Sequence, residues 1–310
     1  MNKKQLFFLL KALVSIVPIF LIVKRVDLEV VFQLVGNTSL IYIFFTLLVL
    51  LLQVLLMTYR WQKVLTQLNM TIRYKDILQF FWVGLFFNQI LPSSIGGDSL
   101  RGFYLFKRGY SLTNTAQGVL IDRIVGLTAL VILVAATLPL AFELIDKPIA
   151  LWGVVTILIS SIITLILVLM IDRYTRIFSH WKFIKALFTL VQEARKLIFS
   201  FSPGIKLIAI SFSVHLLSII TIIILSIGMG LGLKWTGVVI IIPLVTLISA
   251  IPISIAGWGI REGAMVVGLG YLGVIPESAL ALSVLYGLLL LTIALPGGLI
   301  FVVRDSQRQE

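Results

Sequence analysis

Two stretches of this chain place a proline, a serine, glycines and an arginine together inside apolar sequence. They are Leu91-Pro-Ser-Ser-Ile-Gly-Gly-Asp-Ser-Leu-Arg101 and, 160 residues further on, Ile251-Pro-Ile-Ser-Ile-Ala-Gly-Trp-Gly-Ile-Arg261. Aligned without a gap, Pro92, Ser94, Ile95, Gly97 and Arg101 fall on Pro252, Ser254, Ile255, Gly257 and Arg261. The chemistry this residue set suits is the capture of an anion. A helix that starts at each glycine cluster turns its unbonded N–H groups and the positive end of its dipole toward the break in the chain. Gly96, Gly97, Gly257 and Gly259 let backbone approach a ligand, and Ser94 and Ser254 can cap or donate. Arg101 and Arg261, in the first turn, can grip a phosphate with two parallel hydrogen bonds. Asp98 has no counterpart in the second copy, where Trp258 stands, and at three residues from Arg101 it can pair with it on one helix face.

The surroundings make these breaks expensive. Of the 310 residues 60% are hydrophobic and 12% charged, and the mean hydropathy is +1.12, against roughly 25% charge in a soluble domain. Apolar runs approach the roughly 20 residues that a helix needs to cross hydrocarbon, so the chain reads as an all-α integral membrane protein. In that medium an unpaired backbone group costs several kcal/mol and a buried charge is also costly. There is no cysteine, which excludes disulfides and thiolate chemistry, and two histidines, His180 and His215, make no multi-histidine centre; no metal and no cofactor is expected.

Six full spans are expected, at 6–23, 39–58, 116–138, 149–170, 207–227 and 280–303. The two motifs lie between spans, in 77–105 and 237–272, each flanked by apolar arms of roughly 14 residues that are too short to cross alone. Both are expected to be re-entrant helical hairpins. The segments 1–11, 59–78, 101–115, 171–206 and 304–310 hold 19 of the 25 lysines and arginines, which places them and both termini in the cytoplasm. The first hairpin then opens from the cytoplasm and the second from outside. Each half, 1–145 and 146–310, reads span, span, hairpin, span, and the halves are inverted. Inverted repeats with broken helices that meet near the midplane are the build of secondary transporters that work by alternating access.

Further charges fall in or near the spans. Asp122 and Arg123 sit about one turn into a span and are expected to face the first hairpin, either bracing the backbone near Asn88 and Gln89 or touching substrate. Glu262 follows Arg261 and is expected to point another way on its helix, as a site of ion pairing or proton coupling. His215 shares a helix face with Ser211 and Ser218. Residues 174–196 form an amphipathic segment with a basic face, expected to lie on the cytoplasmic membrane surface against anionic headgroups.

The run Asn88-Gln-x-Leu-Pro-Ser-x-x-Gly-Gly-Asp-x-x-Arg101, then Asp122-Arg123, then Pro252-x-Ser-x-x-Gly-x-Gly-x-Arg-Glu-Gly263 resembles the flippase-like transmembrane domain of lysylphosphatidylglycerol synthases. The resemblance covers almost the whole chain. It implies a domain that carries lipid to the other leaflet, in the family beside a soluble domain that makes the aminoacylated lipid. No such soluble domain follows the last span, so aminoacyl transfer is not implied.

These readings converge on a translocator of an anionic or phosphate-bearing lipid, a phospholipid or polyprenyl-phosphate carrier, in the cell membrane. A lipid-modifying enzyme, a partner subunit of a synthase or transferase, and a transporter of a small soluble anion are the alternatives. No ATP-binding motif and no support for nucleic-acid binding is present.

Overall fold

The computed structural model describes residues 20, 24, 26–91, 94–171, 182–251 and 257–306. Among them the chain forms eleven helices: α1 (Leu28–Gly36), α2 (Leu40–Gln67), α3 (Tyr74–Ile90), α4 (Ser94–Lys107), α5 (Leu112–Leu144), α6 (Pro148–Met170), α7 (Lys182–Ile198), α8 (Phe201–Gly228), α9 (Trp235–Ser249), α10 (Ile260–Gly270) and α11 (Pro276–Ser306). Five of these, α2, α5, α6, α8 and α11, are long and apolar enough to cross a membrane. They correspond to five of the six expected spans; the sixth, 6–23, lies outside the described residues except for Phe20.

The helix starts follow from local chemistry. Asp27 accepts from the Glu29 N–H at 2.9 Å, Ser111 from the Asn114 N–H at 3.1 Å and Ser200 from the Gly204 N–H at 3.0 Å, each satisfying an N–H that the first helical turn leaves orphaned. Pro148 and Pro276 open α6 and α11, where a missing N–H costs nothing. Between the expected first and second spans lies α1; with Asp27 as its cap it packs against α11.

The arms α3 and α4 pack on each other, as do α9 and α10, so each motif region is a helix folded back on itself. Each first arm rests on a long helix from the other half of the chain: α3 lies along α11 and α9 along α5. The α3–α11 seam is made possible by small residues. Gly297 and Gly298 face the Trp82 carbonyl and the Phe86 ring, too close for any side chain. The neighbouring Pro296 cannot donate into the α11 ladder, and the Trp82 indole N–H meets the Ile293 carbonyl there at 2.8 Å. The main core lies among α5, α8, α9 and α11, and a second one, around Trp61, Phe80, Phe81 and Leu105, holds the first hairpin.

The described part of the amphipathic segment is α7. Its apolar face, Leu190, Val191, Ala194 and Leu197, is buried, and α7 packs on α5, α6 and α8. The physical reason is that this stripe is complementary to a second apolar face, formed by Val64, Ile121, Val125 and Leu207. Two basic residues near its end have local partners: Arg195 donates to the Leu169 carbonyl at 3.0 Å and Lys196 pairs with Glu193 at 2.9 Å.

Candidate anion site between the two hairpins

The first hairpin ends in a buried ionic cluster. Asp98 and Arg101 lie three residues apart on α4, and Arg101 Nη2 donates to Asp98 Oδ1 at 2.5 Å. The other Asp98 oxygen takes the Arg123 Nε–H from α5. Asp122, one residue earlier on α5, is held by Arg60 of α2 through Nε at 2.8 Å and Nη2 at 3.3 Å. Arg60 Nη1 reaches Ser211 Oγ on α8 at 3.1 Å. Arg101 Nη1 stands 3.6 Å from Asp122 Oδ2, with both side chains almost wholly buried. Five charged side chains from α2, α4 and α5 thus meet in apolar surroundings, where each is tolerated because partners surround it.

Arg101 is the member with capacity left over. Its guanidinium carbon lies 4.8 Å from the Trp61 ring centroid and 4.9 Å from that of Phe81, so aromatic faces hold the plane in place. Its side chain is 6% exposed, and neither Nε nor Nη1 has a hydrogen-bond partner. A buried donor without an acceptor costs about 1–3 kcal/mol, more for a charged group. An acceptor oxygen brought to Nε or Nη1 would remove that cost.

The backbone of the hairpin supports this. Asn88 Oδ1 accepts from the Gly97 N–H at 3.0 Å, which ties the end of α3 to the first turn of α4. Asn88 therefore braces the hairpin itself and is one of the acceptors already using the helix-start N–H groups. Gly96 packs against the Leu91 side chain. Ser94 opens α4, but its side chain lies outside the described residues, as do Pro92, Pro252 and Ser254.

The second hairpin solves the same problem with fewer charges. Gly257 and Gly259 have φ of 81° and 83°, a region that glycine enters without penalty, and this turn starts α10. The Gly259 N–H donates to Glu262 Oε2 at 2.6 Å. Arg261 pairs with the same carboxylate through Nη2 at 2.6 Å and Nε at 3.0 Å. The expectation that Glu262 points away from Arg261 is therefore corrected. Glu262 folds back onto the helix start, where the N–H groups and the dipole attract it, and Arg261 follows. The Arg261 guanidinium lies over the Trp258 ring at 4.7 Å, and Ser283 Oγ of α11 donates to Glu262 Oε1 at 3.3 Å. The end of α10 thus carries its own carboxylate where a ligand would sit. Beside it a cavity of about 160 Å³ is lined by Arg261, Gly257, Thr246, Ser249 and Tyr286.

The polar face of α8 lies near both clusters. Ser211 receives Arg60, His215 Nε2 is 3.0 Å from the Gly126 carbonyl oxygen, and Ser218 accepts from Gln53 at 2.7 Å. His215 is bound to backbone rather than to any of the carboxylates. Among the described residues no group of three His, Asp or Glu side chains gathers in a way that would hold a metal ion.

Sequence reasoning missed Arg60, Trp61, Gly84 and Ser283. Arg60 and Trp61 stand near the end of an apolar run where basic and aromatic residues usually mark an interface. Ser283 and Gly287 of α11 are spaced like Asp122 and Gly126 of α5, and both pairs face the arginines of their cluster.

Long apolar helices, two folded-back helical hairpins and buried charge at their tips define an integral membrane protein with an internal polar site. The chain matches the family model described as the lysylphosphatidylglycerol synthase TM region over residues 8–297. It belongs to that family of membrane domains related to lipid synthesis. No relative of curated function matches it.

Proposed function

We propose that the protein is a translocator that moves an anionic or phosphate-bearing lipid between the leaflets of the cell membrane. The observation that carries this reading is Arg101. It is buried, clamped between Trp61 and Phe81, and has two guanidinium nitrogens without acceptors. A phosphate oxygen at that point completes the hydrogen bonding and meets a cation that costs no further ordering.

The hairpins are re-entrant, the first opening from the cytoplasm and the second from outside, with both termini cytoplasmic. Residues 1–145 and 146–310 are the two halves of an inverted repeat. The crossed packing of α3 on α11 and α9 on α5 supports this, as does the matched spacing of Asp122 with Gly126 and Ser283 with Gly287. Asn88, Ser94, Gly96, Gly97, Asp98 and Arg101 form the loading site. Ser254, Gly257, Gly259 and Arg261 form the second, where Glu262 already neutralises the arginine. An anion reaches Arg261 only by displacing Glu262, so the second hairpin is the weaker, releasing side. Asp122 and Arg123 hold Arg101 and Asp98 in register, and His215 tethers α8 to α5.

The test is transbilayer movement of fluorescent phosphate-bearing lipids in proteoliposomes, comparing the intact protein with Arg101→Ala and Arg261→Ala at equal reconstitution. Movement by the intact protein that both substitutions abolish supports the reading. No movement of any lipid by folded protein under any imposed ion gradient overturns it and favours a partner of a lipid-modifying enzyme. Movement of a soluble anion alone favours a solute transporter.

A further inference from the structure

Helix α6 exposes most of its length, yet the side it turns to the bundle is not closed. A groove of about 420 Å³ runs between α5, α6 and the end of α9, with walls that include Leu127, Val131, Ile157, Ser161, Leu165 and Ile248. A second groove, of about 240 Å³, continues from it along α6, sharing Ile157 and Ile248, and passes Gly153, Val154 and Gly268 to Tyr271. Tyr271 also lines a polar cavity of about 570 Å³ with Asp146, Lys234, Thr236 and Ser278. The two grooves follow one another along α6, and the polar cavity, which no α6 residue lines, meets the second groove at Tyr271.

The chemistry changes along this line. The α6 hydroxyls in the wall are already bonded to their own helix: Ser161 donates to the Ile157 carbonyl at 2.7 Å and Thr164 to the Ser160 carbonyl at 2.8 Å. Apart from Tyr271 at the far end, the side chains that line the two narrow sections ask an occupant for no hydrogen bonds, so the occupant is alkyl. A methylene occupies about the same volume as a water in the liquid, roughly 30 Å³, so the larger section has the volume of one acyl chain. At one end Arg123, one helical turn before Leu127, stands beside Asp98 of the first hairpin. At the other end is the polar cavity with Lys234.

We infer that the two narrow sections along α6 are the track that holds the acyl chain of the moving lipid while its charged headgroup is at the cluster of Arg101 and Arg123. The inference rests on the translocator reading and adds the route. Gly153 gives a clean way to block it, because an added Cβ there meets nothing within 4 Å.

The chain has no cysteine, so single cysteines at Gly153, Ser161 and, as a control facing away from the track, Ile163 can carry an environment-sensitive fluorophore. Detergent-solubilised protein is titrated with phosphatidylglycerol brominated on its acyl chain. The track requires saturable quenching at positions 153 and 161, and quenching at 163 that only rises with the mole fraction of lipid. Equal, non-saturating quenching at all three overturns it. A signal at 153 and 161 that follows protein concentration instead makes the slot a seam between two copies and also overturns it. In proteoliposomes, Gly153→Trp is expected to lose lipid movement while Ile163→Trp retains it. If the wild type moves lipid and Gly153→Trp moves it as fast, the track fails and the translocator reading stands. If the wild type moves none, the translocator reading fails, and the quenching titration alone decides whether an acyl chain occupies the groove.

Discussion

Gly84 and Gly97 bring the two arms of the first hairpin into backbone contact: a methyl group on Gly84 would lie 2.9 Å from the Gly97 carbonyl oxygen and 2.6 Å from Arg101 Cγ. The same contact sets where Arg101 emerges from α4. Packing of the arms and placement of the charge are therefore one structural fact.

Gly84→Ala and Gly97→Ala should each destabilise the protein by about 1–3 kcal/mol, the usual cost of forcing extra volume into a packed interior. Thermal unfolding in detergent, with Gly263→Ala as a control where an added Cβ meets nothing within 4 Å, reads this directly. An unchanged midpoint for Gly97→Ala would show that the arms are not held by this contact.

Arg60 and Asp122 form a buried two-point pair. Removing one partner strands the other charge, so Arg60→Met or Asp122→Leu alone should cost about 3–5 kcal/mol, and the double variant should recover a large part of it. Additive losses in denaturant titrations would show that the two side chains act independently.

Lysine should not replace arginine at position 101. It keeps the charge but not the planar fork that lies between Trp61 and Phe81, and its ammonium cannot present two parallel donors. Arg101→Lys is expected to fold with a nearly unchanged unfolding midpoint and to lose lipid movement in proteoliposomes. Full movement would reduce the role of Arg101 to that of a point charge.

Glu262→Gln leaves Arg261 buried without a countercharge and weakens the bond to the Gly259 N–H. A loss of about 3–5 kcal/mol is expected from the stranded charge, and Arg261→Gln in the same chain should return part of it. If proteolysis of the α9–α10 turn is no faster in Glu262→Gln than in the wild type, the carboxylate is not what holds that turn.

The long apolar runs made five spans legible, because twenty apolar residues in a row have few other uses. The ends were less so: α2 continues past the apolar run to Gln67, carrying Arg60 into the interior. Counted among loop cations, Arg60 looked like a marker of topology, and nothing local to it points to a partner 62 residues away. The pairing of Asp98 with Arg101 was readable from helical spacing. That of Arg261 with Glu262 was not, because adjacent residues on a regular helix diverge. The rule fails here in the first turn, where Glu262 bends back to an N–H that has no helical acceptor. The first hairpin's dependence on α11 was invisible for the same reason as Arg60: Trp82 and Ile293 meet 211 residues apart.

That last contact has a consequence for how the protein is made. The first hairpin leans on Gly297 and Gly298 of α11, so a chain emerging from the ribosome carries the charged cluster long before this support for it exists. Until α11 is inserted, the Trp82 indole and the open side of α3 face lipid or whatever escort the insertion machinery provides. The packing of the first hairpin is thus complete only once α11 is in place, whatever the order in which the charged residues are synthesised.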